Sequence, residues 1–212
     1  MKTKIFNLII LDESGSMESI KKAAVSSVNE TVQTIRAAQR KYEEQEHFVS
    51  LVTFNGEAVK TIFDCVPAME VKELADEQYV PASFTPLYDA MGQSFNALRT
   101  KVADGDRVLV TVVTDGMENS SQEYSGQAIK ALVDELKAKG WVFAYIGANH
   151  DVEQAAATIS IKNTLMFHAS SEGAGIMMQQ VNKSRMAFYD RAVSCCALDA
   201  TAENEHFFDD VL

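Results

Sequence analysis

The sequence predicts an α/β fold in which a mostly parallel central sheet carries helices on both faces. Apolar runs with little polar alternation occur at residues 5–11 and 108–113, and such runs are typical of strands covered on both faces. A further strand is predicted at 141–146. Apolar residues at helical spacing follow each of these strands. This alternation favours a three-layer, doubly wound architecture.

One segment departs from the alternation of strands and helices. Residues 47–54 alternate apolar and polar positions, Asn55-Gly56 is a two-residue turn signal, and residues 58–65 have a second strand pattern. Strands joined this closely pair as a hairpin. We therefore expect one antiparallel edge strand in an otherwise parallel sheet.

The remaining elements are predicted from helix signals. Residues 66–83 read as an irregular connection with a short helix through Val71 and Leu74. Thr85-Pro86 then predicts a helix start, with a hydroxyl at the cap and proline at the first helical position. After a short strand at 164–167, Ser170 or Ser171 is expected to cap a last helix.

Length, charge and cysteine content limit the function classes. The 212 residues predict one domain at 1–194, followed by an acidic tail at 195–212. The net charge of −11 argues against nucleic acid or an anionic membrane as a partner. Cys65, Cys195 and Cys196 fit no disulfide framework or zinc spacing, which favours a reducing, cytoplasmic compartment. The apolar run near the N-terminus is too short for a signal peptide and ends in Asp12.

The stretch IILDESGSM at residues 9–17 connects the first strand to the first helix. Asp12, Ser14 and Ser16 place oxygen ligands at alternate positions, and Gly15 allows a tight turn. Hydroxyl and carboxylate oxygens suit a hard cation such as Mg²⁺. Because Asp and Ser are also preferred helix caps, simple capping by Asp12 and Ser14 is the alternative.

The pattern DESGS resembles the metal-ion-dependent adhesion site of the von Willebrand factor type A (VWA) family. That family adds a threonine from a second loop and an aspartate from a third, and these match Thr85 in SFTPLYDAM and Asp115 in VTVVTDGMENS. The resemblance covers residues 4–168 and implies a Rossmann-like VWA fold with its site at the C-terminal edge of the sheet. The family's threonine often follows glycines, whereas here it follows Ser83 and Phe84, so the Ser83 hydroxyl is an alternative ligand.

The resemblance implies a divalent-metal-dependent adaptor of the bacterial or phage-like intracellular single-domain type. The implied metal is Mg²⁺, with Mn²⁺ or Ca²⁺ as substitutes, and its implied ligands are Asp12, Ser14, Ser16, Thr85 and Asp115. An acidic group of a protein partner would complete the coordination. The residues predicted to face that partner are Glu13, Met117, Glu118 and Asn119. A loop methionine tucked into the core is the alternative for Met117, and the oligomeric state is left open.

Two other functions are alternatives to the binding module. One is a metal-dependent phosphohydrolase, since an aspartate after the first strand can accept a phosphoryl group. Ser14 stands where such enzymes commonly carry a second acid, and no lysine motif near the site provides a charge clamp. The prediction is therefore a protein without enzymatic activity. A scaffold with a vestigial metal site is the other alternative.

Three C-terminal features carry weaker signals. His150 beside Asp151 could suggest acid–base chemistry, but a capped helix start is the preferred interpretation. Cys195-Cys196 could form a redox pair, but ordinary thiols are preferred. The tail ending EHFFDDVL is either a loosely docked end or, as a hypothesis, an acidic plug for the open position of the metal.

Overall fold

A six-stranded sheet forms the centre of the structure, a computed structural model that describes residues 2–148, 151–168, 170–194 and 200–209. Its strands are β1 (Thr3–Asp12), β2 (Gln45–Phe54), β3 (Val59–Pro67), β4 (Arg107–Thr114), β5 (Trp141–Ala148) and β6 (Thr164–Phe167). Their order is β3-β2-β1-β4-β5-β6, and only β2 and β3 pair antiparallel. The predicted α/β class, with one antiparallel edge strand, is confirmed.

Helices cover both faces of this sheet. They are α1 (Lys21–Lys41), α2 (Leu87–Arg99), α3 (Gly126–Ala138), α4 (Val152–Thr158), α5 (Ser171–Ser194) and α6 (Ala200–His206). One hydrophobic core lies between the sheet and α1 with α5, and a second lies between the sheet and α2, α3 and α4. The three predicted layers are therefore present.

The central strand β1 owes its position to its two apolar faces. Ile9 and Leu11 are buried against the helices of one face, while Leu8 and Ile10 are buried against those of the other. A strand without a polar face is stable only between two layers. Because β4 runs parallel beside β1, the carboxyl ends of the two strands meet at one edge of the sheet.

The hairpin of β2 and β3 turns at the predicted place, but residues 55–58 form a four-residue loop rather than the expected two-residue turn. The Asn55 side-chain oxygen accepts hydrogen bonds from the amides of Glu57 at 3.0 Å and Ala58 at 3.2 Å. Gly56 lies so close to the next connection that a Cβ there would stand 2.5 Å from the Ser83 hydroxyl. A side chain at position 56 would therefore push the 79–85 connection away.

Two expectations about this connection are wrong. Val71 and Leu74 lie in irregular chain with their side chains buried in the α1 core, and the short helix is a 3₁₀ turn at Asp76–Gln78. Val71 and Leu74 are apolar because each is buried separately, and their spacing resembled that of a helix. The next helix, α2, begins at Leu87 with Pro86 as its cap residue, and no Thr85 hydroxyl bond caps it.

The C-terminal segment packs onto the domain through α6. Phe207 and Phe208 are buried beside α5. Strand β6 pairs only with residues 145–148 of β5. Nearer the start of β5, the side chain of Asn204 binds the same edge. Its oxygen accepts from the backbone amide of Phe143 at 3.0 Å, and its nitrogen donates to the Trp141 carbonyl at 2.8 Å. A loosely docked end is therefore wrong for residues 200–209, and they lie at the opposite end of β5 from the carboxyl edge.

Several predictions fall on parts of the chain that the structure leaves undescribed. His150, Cys195 and Cys196 lie outside the described residues, and so does the proposed boundary after residue 194, which stays a prediction. Asp151 does cap α4, since its carboxylate accepts the Gln154 amide at 3.0 Å. None of the described helices is long and apolar enough to cross a lipid bilayer.

Candidate functional site

Asp12 ends β1 and is completely buried. One of its carboxylate oxygens accepts the Ser14 amide at 2.7 Å, and the other accepts the Thr114 hydroxyl at 2.5 Å. Its carbonyl oxygen accepts the Tyr79 hydroxyl at 2.5 Å. These contacts fix the carboxylate at the point where the chain leaves the sheet for the 3₁₀ turn at Gly15–Ile20.

A series of polar side chains runs from Asp12 to the end of β4. The hydroxyls of Ser14 and Ser16 lie 3.2 Å apart, and the Ser16 hydroxyl donates to Asp115 at 2.5 Å. Ser14 is buried, Asp115 is half-buried and Ser16 is exposed. Two loops that are about a hundred residues apart in sequence thus converge on a cluster with one side open to solvent.

Thr85 lies beside this cluster. A Cβ on Gly116 would stand 3.6 Å from the Thr85 hydroxyl and 3.8 Å from that of Ser16, so both hydroxyls border the same point. The backbone of Thr85 is paired with Asn119, whose side-chain oxygen accepts the Thr85 amide at 2.9 Å. The alternative hydroxyl, that of Ser83, instead faces Gly56. Thr85 is therefore the better placed of the two.

Two carboxylates from α2 and from the loop after β4 hold these segments together. Asp89 accepts the amides of residues 122–124 at 2.8 to 2.9 Å and so braces the loop after β4. Glu118 accepts the Tyr88 amide at 2.9 Å and also the amides of residues 120–121. A carboxylate at a helix N-terminus is favoured by the exposed amides there. Glu118 therefore caps α2 from a distant loop, a role that sequence reasoning missed.

Glu13 does not face a partner, contrary to prediction. Its side chain is fully buried, accepts the Val80 amide at 2.6 Å and is paired with the half-exposed Lys60 at 3.4 Å. A buried carboxylate needs such partners, because unpaired burial of a charge is strongly unfavourable. The Glu13 side chain thus anchors the connection that leads to Thr85.

Two apolar side chains are exposed at the rim of the cluster. Met117 is 64% exposed and Phe84 is 65% exposed, so Met117 is not tucked into the core. Sequence reasoning did not single out Phe84, although an aromatic residue in a polar loop is a detectable signal. A cavity of about 330 Å³ adjoins Met117 and is lined partly by Tyr88 and Ile159. Asn119 is also exposed, but its side-chain oxygen is bound to Thr85.

The cluster carries unbalanced negative charge. Burial raises the pKa of Asp12 to about 6, hydrogen bonds from Thr114 and Ser14 oppose that rise, and the nearby Asp115 charge adds to it. Within the described residues, no three His, Cys, Asp or Glu side chains are grouped to hold a metal. A cation at this cluster would therefore depend on hydroxyl ligands, which Mg²⁺ accepts in combination with a few carboxylates.

Solved structures of other proteins share the fold. Proximal thread matrix protein 1 from the mussel byssus gives a TM-score of 0.63 at 14% identity, over 87% of this chain and 47% of that one. The vWF domain of the type V pili tip protein Mfa5 from Porphyromonas gingivalis gives 0.61 at 10% identity, over 86% of this chain and 96% of that one. The SpRpn10 VWA domain gives 0.59 at 12% identity, over 82% of this chain and 94% of that one.

These identities show a common fold and no more. The chain spans about half of the length of the mussel protein. No curated protein matches its sequence. The sequence model of the von Willebrand factor type A domain matches residues 8–183, which is most of the chain. The chain therefore belongs to the von Willebrand factor type A domain family.

Proposed function

We propose that this chain is a divalent-cation-dependent protein-binding module without enzymatic activity. Its cation ligands are Asp12, Ser14, Ser16, Thr85 and Asp115. Mg²⁺ is the proposed ion, with Mn²⁺ or Ca²⁺ as substitutes. The observation that supports this most is the hydrogen-bonded series from Asp12 through both serines to Asp115, with the Thr85 hydroxyl beside it.

The chain supplies a site that is rigid on one side and open on the other. Both Asp12 oxygens are oriented by hydrogen bonds, and the loops of Thr85 and Asp115 are tied together by Asn119. Ser16 faces solvent. Bound Mg²⁺ supplies an electrophilic position that a carboxylate of the partner can occupy, because three of the five proposed ligands are neutral hydroxyls.

The partner is proposed to present an acidic residue next to apolar ones. Phe84 and Met117 lie on different loops at the rim of the cluster and are both largely exposed. Exposed apolar side chains grouped at a polar site are typical of binding surfaces. Family members typically mediate protein–protein interaction, and the named neighbours include a domain of a type V pili tip protein.

The phosphohydrolase alternative has less support. Ser14, rather than a second acid, stands two residues after Asp12. Lys60, on the neighbouring hairpin, is paired with Glu13 and is not directed to Asp12. Charge stabilisation of a transferred phosphate would need such a group.

The proposed setting is the cytoplasm of a bacterial cell or of a phage-infected one. The net charge of −11 supports a protein partner rather than a nucleic acid or an anionic membrane surface. The same charge would repel an acidic partner in the absence of a bound cation. Cation dependence of binding is therefore the property to test.

Calorimetric titration with Mg²⁺ and Mn²⁺ tests the proposal. The double variant Ser14→Ala/Ser16→Ala removes two proposed ligands and should lower affinity at least about a hundredfold, or roughly 3 kcal/mol. The matched control Ser26→Ala/Thr34→Ala removes two hydroxyls from the exposed face of α1 and should bind as the wild type does. An unchanged titration of the Ser14/Ser16 variant would contradict the assignment.

A further inference from the structure

Arg185 is a buried cation in the core between α5 and the sheet. Its side chain is only 1% exposed. Its guanidinium donates to the Thr111 hydroxyl at 2.8 Å, to the Asn7 side-chain oxygen at 3.2 Å and to the Tyr189 hydroxyl at 3.4 Å. All three acceptors are neutral. Hydrogen bonds of this kind orient the guanidinium but do not cancel its charge.

No counter-charge for Arg185 is found in the described part of the chain. None of the ion pairs among those residues includes it, and its Nε has no hydrogen-bond partner there. Arginine stays protonated at every physiological pH. A buried charge with neither a counter-ion nor a full set of acceptors is strongly unfavourable. The site therefore lacks one negative group.

A cavity of about 30 Å³ lies between β1, β4, α1 and α5, and Arg185 is one of its lining residues. Most of its lining is apolar, but Ser27, Thr31 and Thr111, which carry hydroxyls, are also among the lining residues. The Thr111 hydroxyl accepts from Arg185, so its proton is free to donate, and the Thr31 hydroxyl donates only to the sulfur of Met178 at 3.3 Å. The volume exceeds the ~10–15 Å³ that one water needs.

We propose that this cavity binds a small monovalent anion, with chloride as the physiological ligand. Arg185 Nε and the hydroxyls of Ser27, Thr31 and Thr111 are the donors. One negative charge balances the positive charge of Arg185, whereas a divalent oxyanion would leave an excess and needs more room. A water molecule would fill the space but would not neutralise the guanidinium.

This site is separate from the proposed cation site. It shares none of the five proposed cation ligands and lies within the core rather than at the open edge of the sheet. The anion would bind the folded state alone, because only folding creates the cavity. Bound ligand then raises stability in proportion to the logarithm of its concentration.

Thermal unfolding in sodium chloride, bromide and gluconate at equal ionic strength, with EDTA present, tests the anion site. We expect the unfolding midpoint to rise with chloride or bromide concentration and to stay constant when gluconate replaces them. Arg185→Met should unfold at the same midpoint in all three salts. Arg36→Met, which removes a partly buried arginine of α1 that does not line the cavity, should keep the wild-type dependence on the anion.

Two further experiments apply if Arg185→Met does not fold. Ala24→Leu fills the cavity while keeping Arg185, and it should abolish the anion effect. Wild-type crystals grown in bromide should show an anomalous difference peak beside Arg185 Nε. Anion-independent unfolding of the wild type together with no bromide peak would overturn the proposal and assign water to the cavity.

Discussion

Asp89 shows how one side chain positions two loops of the candidate site. Its carboxylate accepts three consecutive amides of the loop after β4 while its own amide donates to Ser121. The first helical turn of α2 is therefore joined to the segment that follows Asp115. An acid in the first turn of a helix is a local signal, but the three amides that Asp89 accepts are brought to it only by the fold.

Replacing Asp89 by alanine should lower the free energy of unfolding by about 3 kcal/mol, since three amides lose a charged acceptor. It should also weaken Mn²⁺ binding, because the loop after Asp115 loses its anchor. Urea unfolding and a Mn²⁺ titration measure the two effects. Glu123→Ala, which removes an exposed carboxylate bound to Gln93, serves as the control and should stay within ~0.5 kcal/mol. Equal stabilities of the two variants would contradict the bracing role.

His47 makes stability depend on pH. Burial, with a smaller effect of the Arg185 charge, lowers the pKa of His47 from 6.5 to about 4. As the pH falls, His47 therefore becomes protonated in the unfolded state at a higher pH than in the folded state. The stability due to neutral His47 is fully present above pH 6.5 and is lost as pH falls towards 4, by roughly 3 kcal/mol in total.

Urea unfolding of the wild type and of His47→Gln between pH 7.5 and 4.5 measures this loss. Asp12, whose pKa is raised, contributes with the opposite sign between its unfolded value of 3.8 and about 6. The difference between the two proteins isolates the histidine. The wild type should lose stability more steeply below pH 6.5, and parallel curves would show that His47 is not the titrating group.

At the scale of elements, local patterns predicted most of the fold. The unbroken apolar runs of β1 and β4 placed both strands between two layers, and Asn55-Gly56 placed the hairpin. These patterns are formed by residues that are close together in the chain, so they can be recognised in a single sequence. The carboxyl ends of β1 and β4 then placed Asp12 and Asp115 at one edge.

Features that depend on distant residues were missed. Glu118 caps α2 from a loop thirty residues away, which replaced the expected Thr85 cap. Asn204 binds the free edge of β5 from α6, a helix that was not predicted. Neither contact has a local signature, because each is defined only when the chain has folded. Burial of Glu13 was missed for the same reason, since its partners are Lys60 in β3 and the backbone amide of Val80.

Asn204 provides a test at this scale. Asn204→Ala leaves the Phe143 amide and the Trp141 carbonyl at the edge of β5 without a side-chain partner, and it should lower stability by about 2 kcal/mol. Mg²⁺ affinity should not change, because α6 lies far from the cation cluster. Glu205→Ala removes only the exposed pair with Lys162 and should have little effect. A loss of Mg²⁺ affinity in Asn204→Ala would contradict this independence of α6 and the cation cluster.

At the scale of the whole molecule, the net negative charge makes binding of an acidic partner depend on a bound cation. A chain with a net charge of −11 repels an acidic partner at long range. The proposed cation would reverse this locally at the edge where Asp12, Ser16 and Asp115 meet. Partner binding should therefore be abolished by chelation and not merely weakened.

The central claim is tested most directly by affinity capture on immobilised protein from an extract of the source cells. The extract is applied in Mg²⁺ and in EDTA, to the wild type and to Ser14→Ala/Ser16→Ala, and any captured protein is identified and purified. The account predicts a partner that binds only the wild type, only in Mg²⁺, and that loses binding when one surface acid is changed to its amide. Equal binding in Mg²⁺ and EDTA, or by both proteins, would contradict it.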